Sequence, residues 1–202
     1  MKNTHRRVIV LSTLVTVLSL TSALLLALAP APLTPDASNS LFAIDAPQTM
    51  DVVFQTDTPV RTARWKFIYV HQSRTTSGNA MTLANGPHGV GDHFVIGNGD
   101  GCTDGEIQVG QRWNKQLSAA PPAGAQQIDG DCISICLVGD FDHGVPTPTQ
   151  LRRLSQLVNA LQGRLHIGAR SVMLVDQPAS NGTPASIGKY FPATAFRDQL
   201  LP

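Results

Sequence analysis

The pattern of apolar and polar positions predicts five short strands in the last two thirds of the chain. The run WKFIYVHQS (65–73) is rich in aromatic and β-branched residues, as buried strands are. DHFVIGN (92–98), a Gly/Asp-rich turn and GEIQVGQRW (105–113) together predict a hairpin. CISICLVGDF (132–141) is apolar on both faces, which predicts a central strand covered on both sides, and SVMLVD (171–176) predicts a further short strand.

Apolar residues at helical spacing predict one long helix within residues 146–164. Thr147 is suited to cap it, Pro148 fits the first helical position, and Gly163 is expected to end it. Its expected core stripe comprises Leu151, Leu154, Leu157, Val158 and Leu161. Residues 193–201 predict a terminal helix. Strands and helices mixed in this order predict an α/β fold, a single domain with a mixed central β-sheet flanked by helices.

The first 29 residues have the pattern of a targeting segment. Lys2, Arg6 and Arg7 precede 22 uncharged, mostly apolar residues from Val8 to Ala29. The length favours a membrane anchor that spans as a helix, whereas the Ala27–Ala29 triplet fits a cleaved signal peptide in spite of the following proline. Either way the rest of the chain is expected outside the cytoplasm: facing outward from a membrane, or secreted or periplasmic after cleavage.

Residues 30–60 are rich in proline, alanine, serine and threonine, which predicts an extended linker, with a possible edge strand at MDVVF (50–54). The folded domain is then expected over residues 61–202. The net charge of +1 and the scattered basic residues disfavour nucleic acid as a partner.

Three cysteines in an exported domain leave room for one disulfide. On one strand, Cys132 and Cys136 would lie about 13 Å apart, too far to bond. Cys136 is then most simply a small buried apolar residue. A Cys102–Cys132 disulfide is one hypothesis, and free thiols at both positions are the other.

Three segments carry a resemblance to a known family: GVGDHFVIGNGDGCTDGEIQVGQRW (89–113), CISICLVGDFD (132–142) and GKYFP (188–192). The chain from about Trp65 to Leu200 resembles the zinc-dependent N-acetylmuramoyl-L-alanine amidase and peptidoglycan recognition family. The resemblance implies a zinc ion held by two histidines and a cysteine or similar residue. Such a metal lowers the pKa of a bound water, so that hydroxide attacks an amide carbonyl.

This sequence departs from the family pattern at most of those positions. His71 stands at the first zinc ligand, but Val175 and Ser186 replace the other two, and Asp92 replaces the family tyrosine that orients or protonates the substrate. The degenerate site predicts no cofactor. Zinc is expected only if the site is rebuilt, for which His71, Asp92 and Asp176 form the best substitute set.

The leading hypothesis is therefore a catalytically degenerate amidase-fold domain that binds cell-wall peptide, that is, peptidoglycan or a muropeptide. One alternative is an active N-acetylmuramoyl-L-alanine amidase with a rearranged zinc site, and another is a structural extracellular module. The residues expected to bind the ligand are His71, Asp92, His93, Trp113 and Lys189.

Overall fold

A five-stranded mixed sheet forms the centre of the domain. The computed structural model describes residues 47–84, 86–120, 130–174 and 187–202, all within one compact unit, Ser38–Pro202. The sheet has the order β3-β2-β4-β1-β5. The strands are β1 (Phe67–Gln72), β2 (Phe94–Ile96), β3 (Ile107–Val109), β4 (Cys132–Leu137) and β5 (Val172–Leu174).

The strand pairing explains why the sequence patterns differ between strands. β4 is parallel to both β1 and β2, and β1 is parallel to β5, whereas β2 and β3 form an antiparallel hairpin. All six residues of β4 are buried, as a central strand covered on both faces requires. The predicted α/β fold class, the central strand and the hairpin are thus confirmed.

In the described ranges, three α-helices accompany the sheet: α1 (Gln111–Asn114), α2 (Pro148–Leu165) and α3 (Ala193–Arg197). The Thr147 hydroxyl accepts a hydrogen bond from the Gln150 amide, and the Gln150 side chain accepts one from the Thr147 amide. This reciprocal capping box, with Pro148 in the first turn, starts α2 where the sequence predicts.

Three local expectations are wrong. The strand predicted over 105–113 ends at Val109, because the chain turns into α1 with the Trp113 amide donating to the carbonyl of Gly110. MDVVF lies in a 3-10 helix, Pro47–Phe54, rather than in an edge strand. Helix α2 continues past Gly163, since Leu165 adds buried apolar surface, and ends at His166 in the left-handed conformation.

The two faces of the sheet have different characters. One face belongs to the main apolar core, together with α2 residues such as Leu154 and Leu161. The opposite face carries a smaller apolar cluster around Val95 and Cys136 and also the polar residues Ser134 and His71. Because side chains alternate along a strand, every second residue of β1 and β4 faces this second side.

The Cys102–Cys132 disulfide is not formed. Cys132 opens β4, whereas Cys102 lies in the turn after β2, next to Gly78. β2 and β4 are parallel with Ile96 opposite Leu137, so the two cysteines lie at opposite ends of the sheet. Five residues of strand span about 16 Å, well beyond the disulfide limit of about 7 Å.

The predicted N-terminal anchor or signal segment lies outside the described residues. Within the described parts of the chain, no helix has the length and apolarity needed to cross a bilayer.

Candidate functional site

His71 and Cys136 occupy neighbouring positions on the two central strands. β1 and β4 run in parallel with His71 directly opposite Cys136, and both side chains are buried. Residues paired in this way project to the same side of a sheet. The strand register therefore places an imidazole next to a thiol near the carboxyl ends of both strands.

Asp92 reaches the same place from the residues before β2. Its backbone passes close to Gly110, where a Cβ atom would lie 2.4 Å from the Asp92 carbonyl oxygen. Only glycine allows this approach, which brings the end of the β2–β3 hairpin against the Asp92 backbone. The neighbouring His93 amide donates to the Ser134 carbonyl at 3.0 Å, and this hydrogen bond fixes the chain against β4.

A short chain of hydrogen bonds joins Ser134, Asp92 and His71. The Asp92 Oδ1 atom lies 2.7 Å from His71 Nε2, and the Ser134 hydroxyl donates a short hydrogen bond to the same oxygen. The other ring nitrogen of His71, Nδ1, lies 3.1 Å from the carbonyl oxygen of Gln72. A carbonyl only accepts, so Nδ1 carries a hydrogen.

Burial acts to raise the pKa of Asp92, but the charge and hydrogen bond of His71 and the hydroxyl of Ser134 outweigh it. The pKa of Asp92 lies below its ordinary value, and the group is a carboxylate at neutral pH. An ionised carboxylate accepts hydrogen bonds but cannot donate one. Asp92 therefore cannot act as the proton donor that the family tyrosine provides.

Cys136 completes a group of three possible metal ligands. One donor atom from each of His71, Asp92 and Cys136 lies within 4.8 Å of the other two, and all three residues are buried. Burial, with the negative charge of Asp92, raises the pKa of the Cys136 thiol well above its usual value. Without a metal, Cys136 is thus a neutral thiol rather than a reactive thiolate.

The Ser134–Asp92–His71 arrangement is not a nucleophile triad. In a serine hydrolase the histidine lies between the serine and the carboxylate and takes the hydroxyl proton. Here the carboxylate lies in the middle, and the Ser134 hydroxyl donates to Asp92. Ser134 positions Asp92 rather than attacking a substrate.

His93 and Trp113 were expected to bind the ligand, but both side chains are buried in the core. Both have 0% exposed surface, and their rings pack edge to face with centroids 5.9 Å apart. His93 Nδ1 accepts from the Ser134 amide, and Nε2 donates to the Leu117 carbonyl. Burial lowers the pKa of His93 to about 4, so the ring is neutral. Neither residue can contact a ligand.

Lys189 is exposed, beside the carboxyl ends of β1 and β4. Its amide donates to Asp142 Oδ1 at 3.2 Å, and Asp142 also contacts the Gln72 side chain. Its ammonium group lies 5.0 Å from the centre of the Tyr190 ring, which is itself 45% exposed. Lys189 and Tyr190 therefore offer a charge and an aromatic face to solvent. Val175, Asp176 and Ser186 lie outside the described residues.

Ser134 and Cys136 were not among the residues predicted to lie near His71. A signal for both exists in the sequence, because they alternate with isoleucine in CISIC and so share one face of β4. A serine within an otherwise apolar central strand requires a buried polar partner, and Asp92 is that partner.

A protein-family model matches most of the folded domain. The sequence model of the Amidase_2 family, described as N-acetylmuramoyl-L-alanine amidase, matches residues 61–182. This range covers more than half of the 202 residues, and the chain belongs to this family. The predicted family is confirmed. The matched range includes His71, Asp92 and Val175 and ends before Ser186.

Several solved structures are similar at low identity. The endolysin N-acetylmuramoyl-L-alanine amidase LysCS from Clostridium intestinale has 17% identity and a TM-score of 0.48, over 72% of this chain and 90% of that one. The PGRP-Hd of Alvinella pompejana has 17% identity and a TM-score of 0.41, over 69% of this chain and 85% of that one. Comparison with curated protein sequences found no match.

The family implies zinc, and two sets of residues in this chain differ in whether their donor atoms suit that metal. The set predicted from the family resemblance, His71 with Val175 and Ser186, does not fit, because valine offers no donor atom and a serine hydroxyl is a poor zinc ligand. The set of His71, Asp92 and Cys136 fits by donor chemistry, since nitrogen, carboxylate oxygen and sulfur are the three donor types that zinc uses in proteins.

Proposed function

We propose that this domain binds the peptide part of peptidoglycan and does not hydrolyse it. The observation that carries the proposal is the 2.7 Å contact between His71 Nε2 and Asp92 Oδ1. This contact pairs His71, the zinc ligand retained from the family pattern, with Asp92, which replaces the family tyrosine in that pattern. The same contact keeps Asp92 ionised, so neither the family metal set nor the family proton donor is available for amide hydrolysis.

The surface beside this pair supports a binding role. Stem peptides of peptidoglycan carry free carboxylates, and the exposed Lys189 ammonium supplies the complementary charge. Tyr190 adds an exposed aromatic face next to it. Apolar and aromatic surface combined with a few placed polar groups is the usual composition of a ligand site.

Binding is tested with purified cell-wall sacculi and soluble muropeptides. We expect saturable binding of the full-length chain, weakened about fivefold by Lys189→Ala, since an exposed ion pair contributes up to about 1 kcal/mol. Lys115→Ala is the matched control, because Lys115 is also exposed but lies at the opposite end of the sheet. Its neighbour Gln116 accepts a hydrogen bond from the indole of Trp65, which precedes β1. Absence of binding, or an equal effect of both variants, would contradict the proposal.

A working amidase with a rearranged zinc site is the second candidate, and the convergence of His71, Asp92 and Cys136 favours it. The two candidates are separated by incubating zinc-supplemented protein with sacculi and measuring released stem peptides. We expect no release above that of the His71→Ala variant. Release that depends on His71 would establish the amidase.

We also propose that the domain acts outside the cytoplasm, through the charged and apolar N-terminal segment 1–29. The test is a fusion of alkaline phosphatase to the C-terminus of the chain, because that enzyme is active only after export. Activity that persists after residues 1–29 are removed would exclude this role of the segment.

A further inference from the structure

We propose that His71, Asp92 and Cys136 together bind one divalent transition-metal ion such as Zn²⁺. The donor atoms already converge, with all three within 4.8 Å of one another. Zinc binds at about 2.0–2.3 Å, so tetrahedral ligands lie about 3.3–3.7 Å apart. The 2.7 Å contact between His71 and Asp92 is too short for this geometry and must open by about half an ångström, and a donor pair at the 4.8 Å limit would have to close by about an ångström.

The His71 ring is oriented as a metal ligand requires. A metal-bound histidine usually donates its other ring N–H to a carboxylate or a backbone carbonyl, which fixes the tautomer. His71 Nδ1 faces the Gln72 carbonyl at 3.1 Å, leaving Nε2 as the ligating atom. His71 Nε2 now faces Asp92 Oδ1 at 2.7 Å, and metal binding would replace this contact.

The other two ligands are also held in place. The Ser134 hydroxyl donates to Asp92 Oδ1, as a supporting hydrogen bond to a ligating carboxylate does. Cys136 sits on the fully buried central strand, opposite His71 in the β1–β4 register. Two of the three ligands therefore lie on paired central strands and the third is held by hydrogen bonds, so little ordering is needed when the metal binds.

This ligand set differs from that of the family. It shares His71, but its other members come from the segment before β2 and from β4 rather than from positions 175 and 186, which the resemblance implies. The metal site does not by itself decide the proposed function, because a domain with this site could bind peptidoglycan with or without hydrolysing it. The measurements below contain no peptidoglycan, so the two proposals fail separately.

The test is metal titration of the full-length chain, purified in detergent and stripped with a chelator. We expect one equivalent of Zn²⁺ by calorimetry and elemental analysis. Co²⁺ in its place should give the visible bands of a tetrahedral site and a thiolate-to-cobalt charge-transfer band. Binding well below one equivalent, or a Co²⁺ spectrum without the thiolate band, would overturn the proposal.

Substitutions identify the ligands. Cys136→Ser should remove the thiolate band and weaken Zn²⁺ binding by at least about 100-fold, whereas Ser134→Ala should weaken it by about 10-fold to 100-fold. Cys102→Ser is the matched control and should change neither readout, because Cys102 lies in the turn beside Gly78. Circular dichroism of the metal-free variants checks the fold. Unchanged binding in a folded Cys136→Ser variant, or loss of binding in Cys102→Ser, would show that another site holds the metal.

Discussion

His71 lies in β1 and His93 lies directly before β2, and the two histidines have different roles. The His93 ring is a neutral part of the core, with both nitrogens bonded to the backbone. The His71 ring faces an ionised carboxylate on the other side of the sheet. The sequence shows both as histidines near strands, and only their surroundings distinguish a core residue from a candidate ligand.

At the residue scale, His93 should make the domain acid-sensitive. Its pKa is about 4 in the fold and 6.5 in the unfolded chain, so below pH 6.5 the unfolded state binds more protons. Its contribution to stability is complete above pH 6.5 and falls by about 3 kcal/mol by pH 4. Urea unfolding across this range measures the slope, which should shrink in His93→Gln and persist in His143→Gln, an exposed histidine. An unchanged slope in His93→Gln would contradict the assignment.

At the scale of elements, the start of α2 was predicted to the residue. Its signals are local, because the cap, the proline and the apolar spacing all lie within one segment. Its end was mispredicted, because a glycine costs a helix only about 1 kcal/mol, which tertiary packing beyond it can offset. The packing of Leu165 in the core is such a contribution.

Removal of the α2 cap should destabilise the whole domain. The Thr147 hydroxyl accepts from the Gln150 amide and donates to Asp104 Oδ1 at 2.5 Å. Thr147→Ala should lower the free energy of unfolding by about 1–2 kcal/mol, a drop of about 2–8 °C in the melting midpoint. Thr194→Ala, at an exposed position of α3, is the control and should shift the midpoint by less than about 1 °C. Equal shifts in both variants would exclude the capping role.

At the scale of the whole molecule, the apolar core extends to residues before the expected boundary at 61. Met50 and Val53 of the 3-10 helix are buried in the main cluster, and the Trp113 indole donates to the Val53 carbonyl at 2.5 Å. This segment thereby covers one side of Trp113. The proline-rich composition around this segment predicted an extended linker. Local composition cannot show that a distant tryptophan needs a hydrogen-bond partner from this segment.

Loss of this contact should be measurable as stability. Val53→Ala removes buried methyl groups and should lower the free energy of unfolding by about 2 kcal/mol. Val145→Ala is the matched control, because Val145 is 73% exposed and its truncation should cost less than about 0.5 kcal/mol. Chemical unfolding of both variants decides the point. A neutral Val53→Ala would show that the 3-10 helix is not docked in solution.

The sequence alone determined the five strands of the sheet, the hairpin, the start of α2 and the family, and it predicts the replacement of zinc ligands at positions 175 and 186. These follow from local periodicity or from motifs within single segments. Only the tertiary structure decided that Asp92, Ser134 and Cys136 meet His71, and that His93 and Trp113 are buried. The register of parallel strands fixes those contacts between residues 21 to 65 positions apart. Register depends on packing across the whole sheet, which no single segment encodes.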